Sequence, residues 1–320
     1  MLRVTASDVR PSTIGEILDR AIATYVRRFV PLFVILALIG IPLGILGALS
    51  SPGLTHVFEL FNQMSALPPG DIAGRAKIVN DFNRAAAPGG LLALFYLLEL
   101  LLYPLARTAL VIFAAQTLDG AAPTVGEAYR AALGRWLPQT AVGIAFIGIG
   151  LVLAAMFAVT GGFIALTVFA VALLSRVAGV VAGVIVGLVV VAAVIVVVAM
   201  TYIAWLMASV SVSVEDPNPV RAIGSGLRRT FDRPLLRRTL GVALAVVALD
   251  WFGSLAILSF SGVVEYLTHL TILYAIISAC AAILLDGVRT TFVLLYMRDV
   301  KLRREGSDLL LAAAAPSPAV

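Results

Sequence analysis

The chain has 320 residues, 61% of them hydrophobic and 13% charged, and a mean hydropathy of +1.04, whereas soluble domains are roughly 45–50% apolar and 25% charged. One aqueous core cannot hide that much apolar side chain, so a water-soluble globular domain is excluded and lipid is the expected solvent. The formal charge of +5 does not point to nucleic acid, because the arginines flank apolar runs instead of forming one basic domain. Anionic membrane lipid is the expected partner.

The first 28 residues hold Arg3, Arg10, Arg20, Arg27 and Arg28 with Asp8, Glu16 and Asp19. That is too long and too mixed in charge for a cleavable signal peptide, so the first apolar run is expected to be an uncleaved anchor. Membrane spans are expected over 29–49, 90–115, 140–174, 177–212, 239–261 and 271–297, each long enough for a helix to cross a hydrocarbon core about 30 Å thick. Between the first two, the stretch 50–88 is punctuated by Pro68-Pro69-Gly70 and Pro88-Gly89-Gly90, with a short surface helix expected from His56 to Met64.

The run from Thr140 to Val212 has room for two long helices or for three ordinary ones broken at Gly161-Gly162 and near Arg176. Two helices joined near Ser175-Arg176 put Arg130, Arg135, the arginines between Arg221 and Arg238, and those between Arg298 and Arg304 on the side of the arginine-rich N-terminus. The positive-inside rule requires that arrangement. Six spans and two cytoplasmic termini follow. The outer side then carries Arg75, Lys77 and Arg84 balanced by Glu59, Asp71 and Asp81, together with Arg176 and a short loop around Glu265 and His269.

An internal repeat is the most informative pattern. Thr13-Ile14-Gly15-Glu16 recurs as Thr124-Val125-Gly126-Glu127. Without a gap, Ile14, Ile17, Leu18, Ala21, Ile22, Tyr25 and Val26 align with Val125, Ala128, Tyr129, Ala132, Leu133, Trp136 and Leu137, one apolar stripe on a helix. Arg221-Ala222-Ile223 followed by Leu227-Arg228-Arg229 echoes Arg20-Ala21-Ile22 followed by Val26-Arg27-Arg28. Thr13 with Glu16 and Thr124 with Glu127 have the spacing of capping boxes, and Asn218-Pro219 marks a third helix start. The expected fold is all-α, a single membrane domain of three units, each an amphipathic cytoplasmic helix leading into a membrane hairpin. Their limits are 11–116 (outer loop 50–89), 120–212 and 216–297, followed by a cytoplasmic tail over 298–320.

No motif for soluble catalysis is present: no Walker A loop, dinucleotide fingerprint, His-Glu-x-x-His helix or paired cysteines. His56 and His269 fall in different outer loops, Gly224-Ser225-Gly226 lies in an arginine-rich helical pattern, and Cys280 is the single cysteine. Neither a cofactor nor a metal is expected. Ionisable residues inside spans are functional candidates by default because each is costly in hydrocarbon. They are Glu99, Arg107, Asp250, Asp286 and Arg289. Glu99, Tyr103 and Arg107 share a helix face beside Pro104, and Asp286 can pair with Arg289 one turn on. Three readings stand: a charge cluster that fixes helix register, a substrate or proton path, or snorkelling of Arg107 and Arg289. Gly179, Gly183 and Gly187 form a small-residue stripe, with Gly40 and Gly44 a shorter one. Such stripes pack helices within a chain or seam a homodimer.

The opening, Arg10-Pro-Ser-Thr-Ile-Gly-Glu-Ile-Leu-Asp-Arg-Ala, and the ending from Leu294 through Met297-Arg-Asp299, Lys301, Arg303-Arg304-Glu305-Gly306 to Asp308 resemble bacterial proteins labelled glycerophosphoryl diester phosphodiesterase membrane domain. The resemblance implies the membrane part alone, without the catalytic barrel of the enzymes that gave the label, and a bacterial inner-membrane location. The leading expectation is a non-enzymatic scaffold or accessory subunit whose amphipathic helices lie at the cytoplasmic leaflet. Anionic headgroups are expected at Arg228, Arg229, Arg233, Arg237 and Arg238, and a homo-oligomer or membrane-complex partner stays open. The alternatives are a small-solute or lipid transporter using Glu99, Asp250 and Asp286, or the membrane subunit of a separate hydrolase.

Overall fold

The computed structural model describes residues 13–50, 60, 62–68, 70–85, 89–268 and 270–314. Both histidines lie outside these, and of the short helix expected over 56–64 only residues 60 and 62–64 are described, all helical. The protein is all-helical, 92% helix and without a strand among the described residues. The helices are α1 (Ile14–Arg27), α2 (Phe29–Ser50), α3 (Ile72–Ala85), α4 (Gly89–Leu118), α5 (Val125–Leu133), α6 (Trp136–Leu174), α7 (Arg176–Val214), α8 (Pro219–Thr230), α9 (Leu236–Thr268) and α10 (Thr271–Ala314), with a 3-10 turn at Arg233–Leu235 before α9. Six of them, α2, α4, α6, α7, α9 and α10, are long and apolar enough to cross a membrane.

Local chemistry sets the helix starts. Thr13 accepts from the Glu16 amide at 3.2 Å while Glu16 accepts from the Thr13 amide at 2.7 Å. The same reciprocal box joins Thr124 and Glu127. Asn218 accepts from the amides of Val220 and Arg221, with Pro219 at the first helical position. The bond from the Thr124 backbone and then the one with its hydroxyl outweigh desolvation and hold the Glu127 carboxyl below its ordinary range. Its contribution to the start of α5 is therefore present above the usual carboxylate range and lost as pH falls through the lowered value. Amide protection in the first turn of α5, taken relative to the intrinsic exchange rate at each pH, should fall on acidification in the wild type and stay level in Glu127→Gln.

Residues 140–212 form two helices. Ser175 adopts extended backbone and caps the Ala178 amide, ending α6 and starting α7, whereas Gly161 and Gly162 remain helical. In lipid no water would satisfy the backbone groups that a break frees, so a glycine pair alone does not interrupt the helix. One expectation is corrected at the other end of the protein. The helix α9 runs on to Thr268 and α10 starts at Thr271, so Glu265 is a helical residue and buried, not part of a loop.

The chain packs as two bodies, residues 1–137 with 250–320, and residues 138–249, limits that do not follow the repeat. In the first, α10 packs against α2, α1 and α4, α2 packs against α4, and α5 sits on α4 and α2. Its register is legible from the small residues: Gly40 abuts Ile283, Gly44 abuts Ala279, and Gly47 abuts Phe95. The second half of α4 is enclosed on all sides, with Ala106, Leu110, Val111 and Phe113 fully buried.

In the second body, α8 lies on α7 over a core of Val142, Phe146, Ala204, Ala208, Val212 and Ala222. Each of α6 and α7 has 39 residues, about 58 Å of helix and nearly twice a hydrocarbon core. Their distal parts expose Leu151, Phe163, Phe169, Val177, Ile185 and Val189, and touch each other through Gly179 and Gly183, which face Ala172 and Val168.

Each amphipathic helix buries one row of its stripe at i, i+4 spacing. The rows are Ile17, Ala21 and Tyr25 on α1, Ala128 and Ala132 on α5, and Ala222, Gly226 and Thr230 on α8. A second row stays exposed, with Leu18, Ile22 and Val26 on α1, Leu133 at the end of α5 and Leu137 at the start of α6.

Candidate functional site: a balanced buried charge cluster

Four helices of the first body converge on one polar layer. On α4 the four-residue spacing of Tyr103 and Arg107 puts both on the face toward α10, and the helix passes through Pro104 without interruption. On α10, Asp286 and Arg289 stand one turn apart, and α9 supplies Asp250. The Tyr103 hydroxyl donates to Asp286 Oδ2 at 2.7 Å. Arg289 donates Nη1 to Asp250 Oδ2 at 2.9 Å and Nη2 to Asp286 Oδ1. Arg107 is buried and within electrostatic reach of both Asp286 and Tyr103. Two arginines thus face two aspartates, and the layer is neutral without any outside ion.

The amphipathic helix α1 closes the layer. Its Tyr25 is buried beside Asp286, and burial first, then the Asp286 charge, pushes the phenol up to about 12, so it stays protonated at working pH. The ring occupies the space that a side chain at Gly287 would need. Burial likewise raises Tyr129 of α5 to about 12, and its hydroxyl donates to the Ile35 carbonyl of α2 at 2.5 Å. Amphipathic helices α1 and α5 are therefore pinned to the long helices by tyrosines as well as by alanines.

Of the five charged candidates, the structure brings Arg107, Asp250, Asp286 and Arg289 together. Glu99, one turn before Tyr103, is exposed and forms no hydrogen bond or ion pair among the described residues. Tyr25 and Gly287 were missed by sequence reasoning, although the i, i+4 relation of Tyr25 to the repeat alanine Ala21 was the available signal.

The arginines considered for headgroups separate in two. Arg229 grips Glu215 through two bonds of 2.8 and 3.1 Å, and Ser211 donates to the same carboxylate at 2.8 Å. Arg238 is also engaged. Arg228, Arg233 and Arg237 are exposed. Within the glycine stripe, Gly179 and Gly183 pack on α6, while Gly187 meets nothing within 4 Å. No group of three or more His, Cys, Asp or Glu side chains converges among the described residues.

Fold and site together define an all-helical, multi-pass membrane protein with a neutral ion-pair layer inside its first body. No family model, curated protein or solved structure matches the chain.

Proposed function

We propose that the chain is a non-enzymatic membrane scaffold or accessory subunit, made of three amphipathic-helix and hairpin units and akin to the membrane part of the glycerophosphoryl diester phosphodiesterase membrane-domain proteins. The carrying observation is the closed pairing of the charged layer. Asp250 and Asp286, two of the three acids a transporter would need, are held by Arg289 and Tyr103, which fits a register-fixing device better than a site presented to solute. The three-unit reading is supported by the equivalent repeat positions Ala21, Ala132 and Ala222, each at 0% exposure. In every case a short amphipathic helix precedes two long apolar ones.

In this reading the arginine-rich ends face the cytoplasm of a bacterial inner membrane. Single cysteines placed near Arg20, Arg130, Arg229 and Arg303 in a Cys280→Ala background should resist an impermeant thiol reagent in intact cells, and those near Arg75, Arg176 and Glu265 should react. Labelling near Arg229 would overturn the orientation.

In the first body the exposed row of α1, and separately in the second body the exposed Arg228, Arg233 and Arg237, are offered to anionic headgroups, each basic residue contributing about 1 kcal/mol near such a surface. The combined variant Arg228→Gln, Arg233→Gln, Arg237→Gln should retain clearly less anionic lipid through purification than wild type, whereas Arg229→Gln alone should not. Equal retention in all three would leave the arginines as orientation signals and remove the lipid role.

A further inference from the structure

The end of the first body remote from the charged layer holds a carboxylate that has no counterion among the described residues. Glu265 of α9 is 2% exposed. Its Oε1 accepts a 3.3 Å bond from Thr271 Oγ1, while Oε2 has no hydrogen-bond partner. Among the described residues around it the structure offers oxygen and no positive charge. Ser261, one turn earlier on α9, is fully buried, and Tyr274 of α10 is within electrostatic reach of the carboxylate. The antiparallel register that sets Gly44 against Ala279 and Ala275, carried on along α2, brings buried Ser50 to the level of Thr271. Across this end, helical residues 40–50, 89–99, 251–268 and 271–281 contain no Arg, Lys or His, and their acids are Glu99 and Glu265.

Position makes the missing charge more costly. Glu265 lies in the last turn of α9, which has no basic residue, and α2 also ends here, at Ser50. Carbonyls at helix C-termini carry partial negative charge and lack intrahelical donors. A carboxylate beside them adds to that potential, whereas a buried ion normally finds a partner. The opposite layer, with two arginines for two aspartates, meets that requirement within the chain.

We propose that this end of the first body binds a small monovalent cation of the size of Na+ on Glu265, with neighbouring hydroxyl and helix-end carbonyl oxygens completing its shell. Oxygen-only donors select a hard cation, and one carboxylate neutralises one charge and not two. The site goes beyond the scaffold reading, since a cation held here joins α9 to α10 whether or not anything is transported.

Thermal unfolding of the purified full chain in detergent tests the site, with NaCl exchanged for choline chloride at constant ionic strength. The transition temperature should rise with Na+, as a ligand that binds only the folded state requires, and Glu265→Gln should remove the dependence. Thr271→Val, which keeps the carboxylate and removes its hydrogen-bond donor, should move the Na+ midpoint up by about tenfold or more. It also serves as the deciding variant where Glu265→Gln does not fold. A wild-type transition indifferent to Na+, one that responds to pH alone because the carboxyl holds a proton, or an unchanged midpoint in Thr271→Val overturns the proposal.

Discussion

Asp286→Ala is expected to cost the detergent-solubilised protein about 3–5 kcal/mol, the loss typical of leaving one partner of a buried pair alone. Asp286 is 3% exposed and answers to Arg289, Arg107 and Tyr103 together, so its removal leaves two arginines facing Asp250 alone. Compensation should then depend on which arginine is also removed. Adding Arg107→Gln restores neutrality and keeps the Arg289–Asp250 bridge, and should recover much of the loss. Adding Arg289→Ala also restores neutrality but strips Asp250 of that partner, and should recover less. Double-mutant cycles on thermal unfolding measure both couplings. Additive losses in both pairs would remove the ion-pair account of the layer.

The second large effect is expected at Gly226. A Cβ added there would stand 2.8 Å from the Ala204 carbonyl oxygen and 2.8 Å from the Ala208 amide nitrogen, and backbone cannot move aside as a flexible side chain can. Gly226→Ala should cost about 1–3 kcal/mol by overpacking and loosen α8, read as faster amide exchange over residues 220–230. Gly224→Ala is the control, because its added Cβ meets nothing within 4 Å. Relief of backbone entropy in a helix should make it neutral or stabilising by about 0.5–1 kcal/mol. Equal behaviour of the two variants would mean that α8 is not seated against α7 as described.

Much of the architecture follows from signals strong in one dimension. Unbroken apolar runs locate the six long helices, capping residues locate the starts of α1, α5 and α8, and charge asymmetry correctly favours two helices between Thr140 and Val212. The site was partly legible for the same reason: a charge in an apolar run is conspicuous, so Arg107, Asp250, Asp286 and Arg289 stand out before any packing is known. What separates Glu99 from them is its level along α4, two turns before Arg107 and short of the buried part of the helix, which a run of leucines on every side does not encode. Tyr25 and Gly287 matter through a contact between residues far apart in the chain. Glu265 reads as part of a short loop with His269, although the helix continues past it to Thr268 and its own side chain is buried. Arg229 counted as one of five equivalent cations until Glu215, in the turn before α8, was seen to hold it.

The excess length of α7 has a consequence for where the second body can reside. From Arg176 to Val198 its side chains face outward apart from the strip against α6, and from Ala199 to Ser213 burial against protein becomes dominant. The outward stretch is about 35 Å long, enough to cross a 30 Å hydrocarbon slab at a tilt of about 30°, within the ordinary range for membrane helices. The remaining turns are sheathed by α8 and need no lipid. With the outward stretch as the part that meets lipid, a change of membrane thickness is expected to be absorbed by the lean of the hairpin. A thicker bilayer would stand it more upright and a thinner one would lay it over.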